Sequence, residues 1–555
     1  MPERLTELAV VVDPARDDVA VARGMIEAGT EIDGEALGVI NLRATVQAGH
    51  RFAIRAVPAG DWVKQYGQPF AKSRGIVAGD PVDATTVVNE VPSVGPEEIE
   101  IRPPVLEPWQ GPRPTFDGFR RADGRVGVRN WVLVVPTSMC SSHEAQQIAM
   151  RAEMGGMWSR EKYPNVDGVT AIPHTRGCGC PDYEPRAAGD AGKLAGVVEA
   201  SMNMLGRYIA HPNVGAVLVI ELGCEKTNVN AVGKYVLLGG EPEDGGRKME
   251  DGGGKGAGLV EWGRRHGKVV VTMSVQSAGG TAGTIKWGLG LLPGLLAEAN
   301  RATRSACDVS ELCVGLKCGG SDAFSGLTAN PALGVASDLL IRAGGRSVIT
   351  EIPEFFGAEH LFAARARERG VVREIYAAME RFRAYVARVG GSMSENPSPG
   401  NREGGLINIT IKSLGALAKS GRAAVEGVLD YGQWVWDRGR GGLWLLYCPS
   451  YDQESTPALV GSGCQIVCFT TGRGTGIGNA IAPVIKIGSN GALYQRMAGD
   501  IDVNAGAVLD EGVSIEAMGR RLFDEILAVA SGRGVKAEEN GHREFMIWNE
   551  EGVSL

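Results

Sequence analysis

"VGAVLVIELGCE", residues 214–225, runs seven positions without a polar side chain before Glu221 and ends in a Gly-Cys-Glu turn. A run with no polar alternation reads as a strand buried on both faces, which belongs in a parallel sheet covered by helices. Working outward, the same pattern recurs in "WVLVVPTSMC" (131–140), "VTAIPHTRGCGC" (169–180), "KVVVTMSV" (268–275), "LCVGLKCGG" (312–320) and "RSVITEIPE" (346–354). Helix-type stretches lie between them: "SSHEAQQIAMRAEM" (141–154), "AGKLAGVVEASMNML" (191–205) and "NPALGVASDLLIRAGG" (330–345). Strands alternating with helices predict α/β domains with mainly parallel sheets.

Residues 1–95 differ in character, with short β runs such as "DVAVA", "RFAIRAVPAG" and "WVKQYG" separated by turn residues. They predict a small β-rich domain. A proline-rich linker is expected over 96–115, an α/β second domain over 116–258 ending in a charged glycine-rich insert (239–258), and an α/β C-terminal domain over 259–555.

With 555 residues, 44% hydrophobic and 22% charged, the chain has the composition of a multidomain globular protein. A net charge of −8 argues against a nucleic-acid partner. No apolar run reaches the ~18 residues that span a bilayer, so no membrane partner is expected. The start of the chain lacks the basic-then-apolar pattern of a signal peptide, so a cytoplasmic protein is expected, with a homo-oligomer as the base-rate assembly. Its ten cysteines then read as thiols or metal ligands before disulfides.

Four of them, Cys140, Cys178, Cys224 and Cys318, fall just past the ends of separate strands. Ligands of open α/β sheets bind outside the carboxyl ends of the strands, so these thiols are expected to meet in one pocket. Thiolates select soft or borderline metals, including iron and iron–sulfur clusters. His174, Glu225 and His360 are possible supplements, and Glu351 and Glu354 stand with His360 in "EIPEFFGAEH", a set suited to a divalent metal or to acid–base work. Cys307, Cys313, Cys448 and Cys468 read as core residues.

The glycine loop "FTTGRGTGIGNAIAPVIKIGSN" (469–490) resembles a phosphate cradle but lacks the Lys-Ser/Thr of a nucleotide P-loop. Backbone N–H groups beside a guanidinium suit a carboxylate. Thr470, Thr471 and Arg473, with Lys486 and Asn490, are therefore read as clamps on an acid group.

Taken together, "GFRRADGRVGVRN", "LGCE", "CGGSDAFSGLTANPALG", "EIPEFFGAEH", "PGNREGG", "KSLG" and "FTTGRGT" followed by "PVIKI" resemble the altronate/galactarate dehydratase family over nearly the whole chain. "AGHRFAI" (48–54) resembles that family's small SAF-type, β-clip-like domain. The resemblance implies a hydro-lyase that removes water from a hydroxylated sugar acid to give a 2-keto-3-deoxy acid. It also implies a divalent metal, usually Fe²⁺, with Mn²⁺, another divalent ion or a labile iron–sulfur cluster as alternatives. It adds Ser321, Asp322 and Ser325 to the substrate-binding set, and His50, His360 and Lys412 are the proton-transfer candidates. The chain departs from the family pattern at Asp83, Thr85 and Thr86, where relatives carry a His-x-His-Asn-type motif, and at Ile411, where an acidic residue is common. Two other readings stand beside the dehydratase: elimination of sulfite from a sulfonated hydroxy acid such as sulfolactate, whose leaving group needs no proton, and a non-catalytic carboxylate-binding protein.

Overall fold

Every side chain from Ala216 to Ile220 is buried, and the strand they form has two cores, one on each face. Ala216, Leu218 and Ile220 pack with Ile148, Leu292 and Leu295, whereas Val217 and Val219 face the core that holds Leu205 and Tyr208. Burial on both faces is why the run carries no polar alternation. The computed structural model describes residues 2–178, 195–237 and 256–548. Cys180 and most of the glycine-rich insert lie outside the described residues.

The strand belongs to a four-stranded parallel sheet of β1 (Trp131–Pro136), β2 (Gly168–Ala171), β3 (Val214–Glu221) and β4 (Val269–Ser274), in the order β2-β1-β3-β4. Helices Ser142–Met154 and Thr281–Ala299 cover one face. Because β4 pairs along β3, the expected boundary at 258/259 would cut this sheet, and it is corrected to about residue 300. Strand Arg304–Asp308 then pairs antiparallel with Thr115–Arg120, which closes the unit.

The C-terminal unit is a seven-stranded, wholly parallel sheet: β5 (Cys313–Cys318), β6 (Arg346–Ile349), β7 (Val425–Leu429), β8 (Gly442–Leu446), β9 (Ile466–Thr471), β10 (Val484–Gly488) and β11 (Val503–Asn504), ordered β7-β8-β6-β5-β9-β10-β11. The chain leaves β5 on one side for β6 and returns on the other side as β9. In open parallel sheets such a switch point opens a crevice at the strands' carboxyl ends. The first sheet has its own switch point between β1 and β3.

Residues 3–88 form three small sheets of short strands, most of them antiparallel, as expected of a β-rich domain. This domain docks on the C-terminal unit. Buried Arg51 holds Gln65 Oε1 at 2.5 Å and also reaches the carbonyl of Gly405. The tip Tyr66, with φ +58°, lies between Asp17, which accepts from Gly67 N at 2.7 Å, and the Gly326 backbone. The proline-rich segment is strapped down: Arg102 N and Trp109 N donate to Ala364 O and Arg342 O, both at 2.8 Å, and the Trp109 ring meets Phe523. Among the described residues no helix is long and apolar enough to cross a membrane.

Candidate active site

The crevice between β5 and β9 opens into a cleft of about 550 Å³, walled on the other side by Glu7, Arg23 and Ala48 of the small domain. Asp322 lies at its floor. One carboxylate oxygen accepts from Ser325 N, Ser325 Oγ and Ser489 Oγ, each at 2.8 Å, and the other from Asn490 Nδ2 at 3.0 Å. Burial pushes the Asp322 carboxyl above its usual range, against the pull of these donors. Gly472 explains the glycine of the loop above: a Cβ there would fall 2.0 Å from the Asp322 carboxyl carbon. Arg473 stands at the mouth, half-exposed, 3.2 Å from Glu403. His50 is not among the residues that line the cleft, but its Nε2 donates to the carbonyl of Glu403 in the cleft wall at 3.1 Å.

Other members of the expected clamp face inward. Thr470 Oγ1 donates to Asn330 at 2.7 Å, Thr471 Oγ1 accepts from Gly474 N at 3.0 Å, and buried Lys486 donates to Thr475 O at 3.2 Å beside His542. The correction is that Thr470 ties β9 to Asn330, Thr471 and Lys486 hold the glycine loop, and the cleft is lined by Arg473, Asn490 and Asp322. His360, on the short helix Glu359–Ala363, is likewise not among the residues that line the cleft.

Beneath Asp322, a cavity of about 10 Å³ lined by Tyr66, Ser321, Ile411 and Lys412 leads to Cys318. There the structure places a buried charge network. Cys318 Sγ, Glu351 and Glu354 offer ligand atoms within 4.8 Å of one another, a group that could hold a metal. The ammonium of Lys419 already stands among them, 2.9 Å from Cys318 Sγ, 2.8 Å from Glu351 and 3.4 Å from Glu354. Lys412 meets Glu354 at 2.9 Å, and Lys317 contacts Glu351 and Asp452. Three ammoniums thus face three carboxylates. Burial opposes the charges on Lys317 and Lys419, but the surrounding acids more than offset it. Burial would likewise raise Glu354, yet Lys412, Lys419 and Lys317 hold it well below the usual range. Burial and the two glutamates push the Cys318 thiol up, so it stays protonated. A divalent ion would have to displace Lys419, which makes this a poor fit for the metal that the resemblance implies.

Cys318 also stands apart from the other three strand-end thiols, because it ends a strand of the other sheet. Cys140, Cys178 and Cys224 follow β1, β2 and β3, adjacent strands at the first sheet's switch point. Cys140, and more weakly Cys224, push the Cys178 thiol above its usual range. The expectation of four converging cysteines is therefore corrected to three. Glu225, expected as a ligand, is occupied: it accepts from Thr137 Oγ1, Leu222 N and Gly223 N, each at 2.6 Å, and so fixes the Cys224 loop. His174 accepts Arg176 N on Nδ1 at 3.0 Å, while its buried Nε2 has no partner. Burial lowers its pKa to about 4, keeping the imidazole neutral. The chemistry of three thiols fits a soft or borderline metal.

The chain matches three family models in order: Altronate/galactarate dehydratase SAF domain over residues 8–90, D-galactarate dehydratase/Altronate hydrolase second domain over 118–300, and D-galactarate/Altronate dehydratase C-terminal over 309–553. The altronate dehydratase of Bacillus subtilis (strain 168) is 33% identical over 546 residues, 97% of this chain and 98% of that protein. The chain belongs to the altronate/galactarate dehydratase family. Other members of the family include the galactarate dehydratase (L-threo-forming) of Escherichia coli (strain K12), 34% identical over 92% of this chain and 90% of that protein. The (2R)-sulfolactate sulfo-lyase subunit beta of Chromohalobacter salexigens is 33% identical over 78% of this chain and 97% of that protein. As a member of the dehydratase family the chain is an enzyme, a carbon–oxygen lyase, and the non-catalytic reading is set aside.

Sequence reasoning missed Lys317, Lys419 and Ser489. Lys317 had a signal, a lone lysine inside the apolar strand "LCVGLKC". Lys419 and Ser489 had none, since only the fold brings them to Glu351 and Asp322.

Proposed function

We propose that the protein is a cytoplasmic, metal-dependent hydro-lyase that dehydrates an aldonate, an aldarate or a related small hydroxy acid to a 2-keto-3-deoxy acid. The observation that carries this reading is Asp322, a carboxyl raised by burial at the floor of an open polar cleft. In a 2,3-dihydroxy acid the C2 proton is weakly acidic and hydroxide leaves poorly. A carboxylate of raised pKa is a stronger base, and in this reading Asp322 takes the C2 proton. Arg473 and Asn490, which share the cleft with Asp322, hold the substrate's acid group through charge-assisted hydrogen bonds. His50, which bonds the carbonyl of Glu403 in the cleft wall, supplies the proton with which the C3 hydroxyl departs as water, and the enol then tautomerises to the keto acid. Iron, the expected metal, would be held by Cys140, Cys178 and Cys224 and supplies Lewis-acid chemistry when bound.

Loss of sulfite from a sulfonated hydroxy acid is the second reading. It is supported by the similarity to the sulfo-lyase subunit and by apolar Ile411 beside Asp322 in the inner cavity. The test is 2-keto acid formation by anaerobically purified protein, with and without Fe²⁺, across aldonates, aldarates and sulfolactate. Iron-dependent keto acid from one stereochemical series supports the dehydratase. Sulfite with pyruvate moves the assignment to the second reading, and silence across the panel with metal bound overturns both.

A further inference from the structure

Tyr66 and Gly67 form the two-residue turn of a hairpin in the small domain, between strands Trp62–Gln65 and Gln68–Ser73. Both have positive φ, +58° and +67°, as a type I′ turn requires. Asn or Asp would serve at the first position, whereas a bulky residue held there is strained and persists only where its surroundings demand it. The demand comes from the C-terminal unit. The Tyr66 ring joins an apolar cluster of Val10 and Val21 from the small domain with Ala323, Phe324 and Leu327 from the turn that follows Asp322. A Cβ on Gly326 would fall 2.4 Å from Tyr66 Oη, and one on Gly415 would fall 3.5 Å from it. Glycines at both positions let the ring in.

The same turn fixes Asp322, whose carboxylate is tied to Ser325 N and Ser325 Oγ. The small domain also meets this turn's neighbours: Ala323 N donates to Gly404 O at 2.9 Å, and a Cβ on Gly405 would fall 2.2 Å from Gly49 O. Tyr66 and Asp322 together line the inner cavity of about 10 Å³, which is room for one water at most. We propose that Tyr66 is a positioning residue, whose ring keeps bulk water from the underside of Asp322 and braces the turn that aims the carboxylate into the cleft. This role rests on the reading of Asp322 as the base. Burial is what lifts the Asp322 carboxyl above its usual range. Removing the ring opens the cavity, admits water and lets the carboxyl fall back, so a weaker base meets the substrate. The other charged groups around Asp322 stay in place: Arg473, Arg496, Glu403 and Asp510 in the cleft, Glu7 and Arg23 across it, and Lys412 in the inner cavity. So do Asp17 and Arg51, whose charges reach Tyr66.

The full-length chain and its Tyr66→Ala, Tyr66→Leu and Tyr66→Phe variants are compared in two ways, after far-UV spectra show that they are folded. The first is the keto-acid assay across pH. Tyr66→Ala is expected to lower kcat about tenfold or more, part of the ~10²–10⁴-fold that a general base contributes, with KM within about twofold because Arg473 and Asn490 are untouched. A carboxylate of lower pKa stays ionised to lower pH, so the acid limb of kcat should move down. Tyr66→Phe keeps the ring and should restore both kcat and the limb. Tyr66→Leu keeps an apolar side chain without the ring's reach and should follow Tyr66→Ala, and it stands in where the alanine variant fails to fold. The second measurement needs no turnover. A water-soluble carbodiimide couples glycine ethyl ester to protonated carboxyls, and the extent at Asp322 is mapped by mass spectrometry against pH. Labelling should persist to higher pH in wild type and Tyr66→Phe than in Tyr66→Ala or Tyr66→Leu. An unmoved labelling profile in the folded alanine and leucine variants, a loss confined to KM, or a phenylalanine variant as impaired as alanine would each overturn the proposal. Should wild type make no keto acid across the panel while the labelling profile moves, the base reading falls and the sealing by Tyr66 stands.

Discussion

Two carboxyl edges of two parallel sheets carry the same sequence feature, a cysteine just past an apolar strand, and the fold turns it to opposite uses. At the seven-stranded sheet, Cys318 is buried among Lys317, Lys412, Lys419, Glu351 and Glu354 and is held as a thiol. At the four-stranded sheet, Cys140 and Cys224 are exposed and Cys178 is half-exposed. A strand end supplies position only. Whether the thiol can take a metal depends on whether a cation from elsewhere in the chain has already filled the space, and Lys419 has done so at one edge.

The comparison breaks most sharply at Lys419. Lys419→Met leaves Glu351 and Glu354 short of a buried counter-charge, a loss that costs about 3–5 kcal/mol, read by urea denaturation. Adding Glu351→Gln should restore part of that stability, a coupling seen in the double-mutant cycle. The next largest effect is on turnover. Asp322→Asn removes the proposed base and should lower kcat by about 10²–10⁴-fold, with the far-UV spectrum unchanged, in the keto-acid assay. Arg473→Ala removes a charge-assisted contact worth about 1.5–3 kcal/mol and should raise KM about tenfold or more. The last effect is on the pH dependence of stability, at Glu454. Burial lifts Glu454 from the ordinary 4.5 to about 7, against the pull of Arg176. The folded chain then keeps a proton that the unfolded chain releases, so stability should fall as pH rises from 4.5 to 7. Glu454→Gln should flatten that fall in melts taken across the window.

The α/β class was legible because strands such as 214–221 are buried on both faces and so lack polar alternation, and the small domain was legible from its short runs and turns. The boundary near residue 300 was not, because "KVVVTMSV" reads the same whichever sheet it joins. In the site, Asp322 and Arg473 were within reach of motif reasoning, and the structure puts both in the cleft. The inward turn of Thr470, Thr471 and Lys486 was not legible, since a strand's side chains alternate between faces and only the neighbours decide which face sees the ligand. Lys419 lies 101 residues from Cys318, and no local pattern announces that contact.

Anomalous diffraction at the iron edge, from crystals grown anaerobically after iron loading, separates the two edges in one measurement. The account predicts an iron peak among Cys140, Cys178 and Cys224 and none among Cys318, Glu351 and Glu354. Iron at the buried network, with Lys419 displaced, would contradict it.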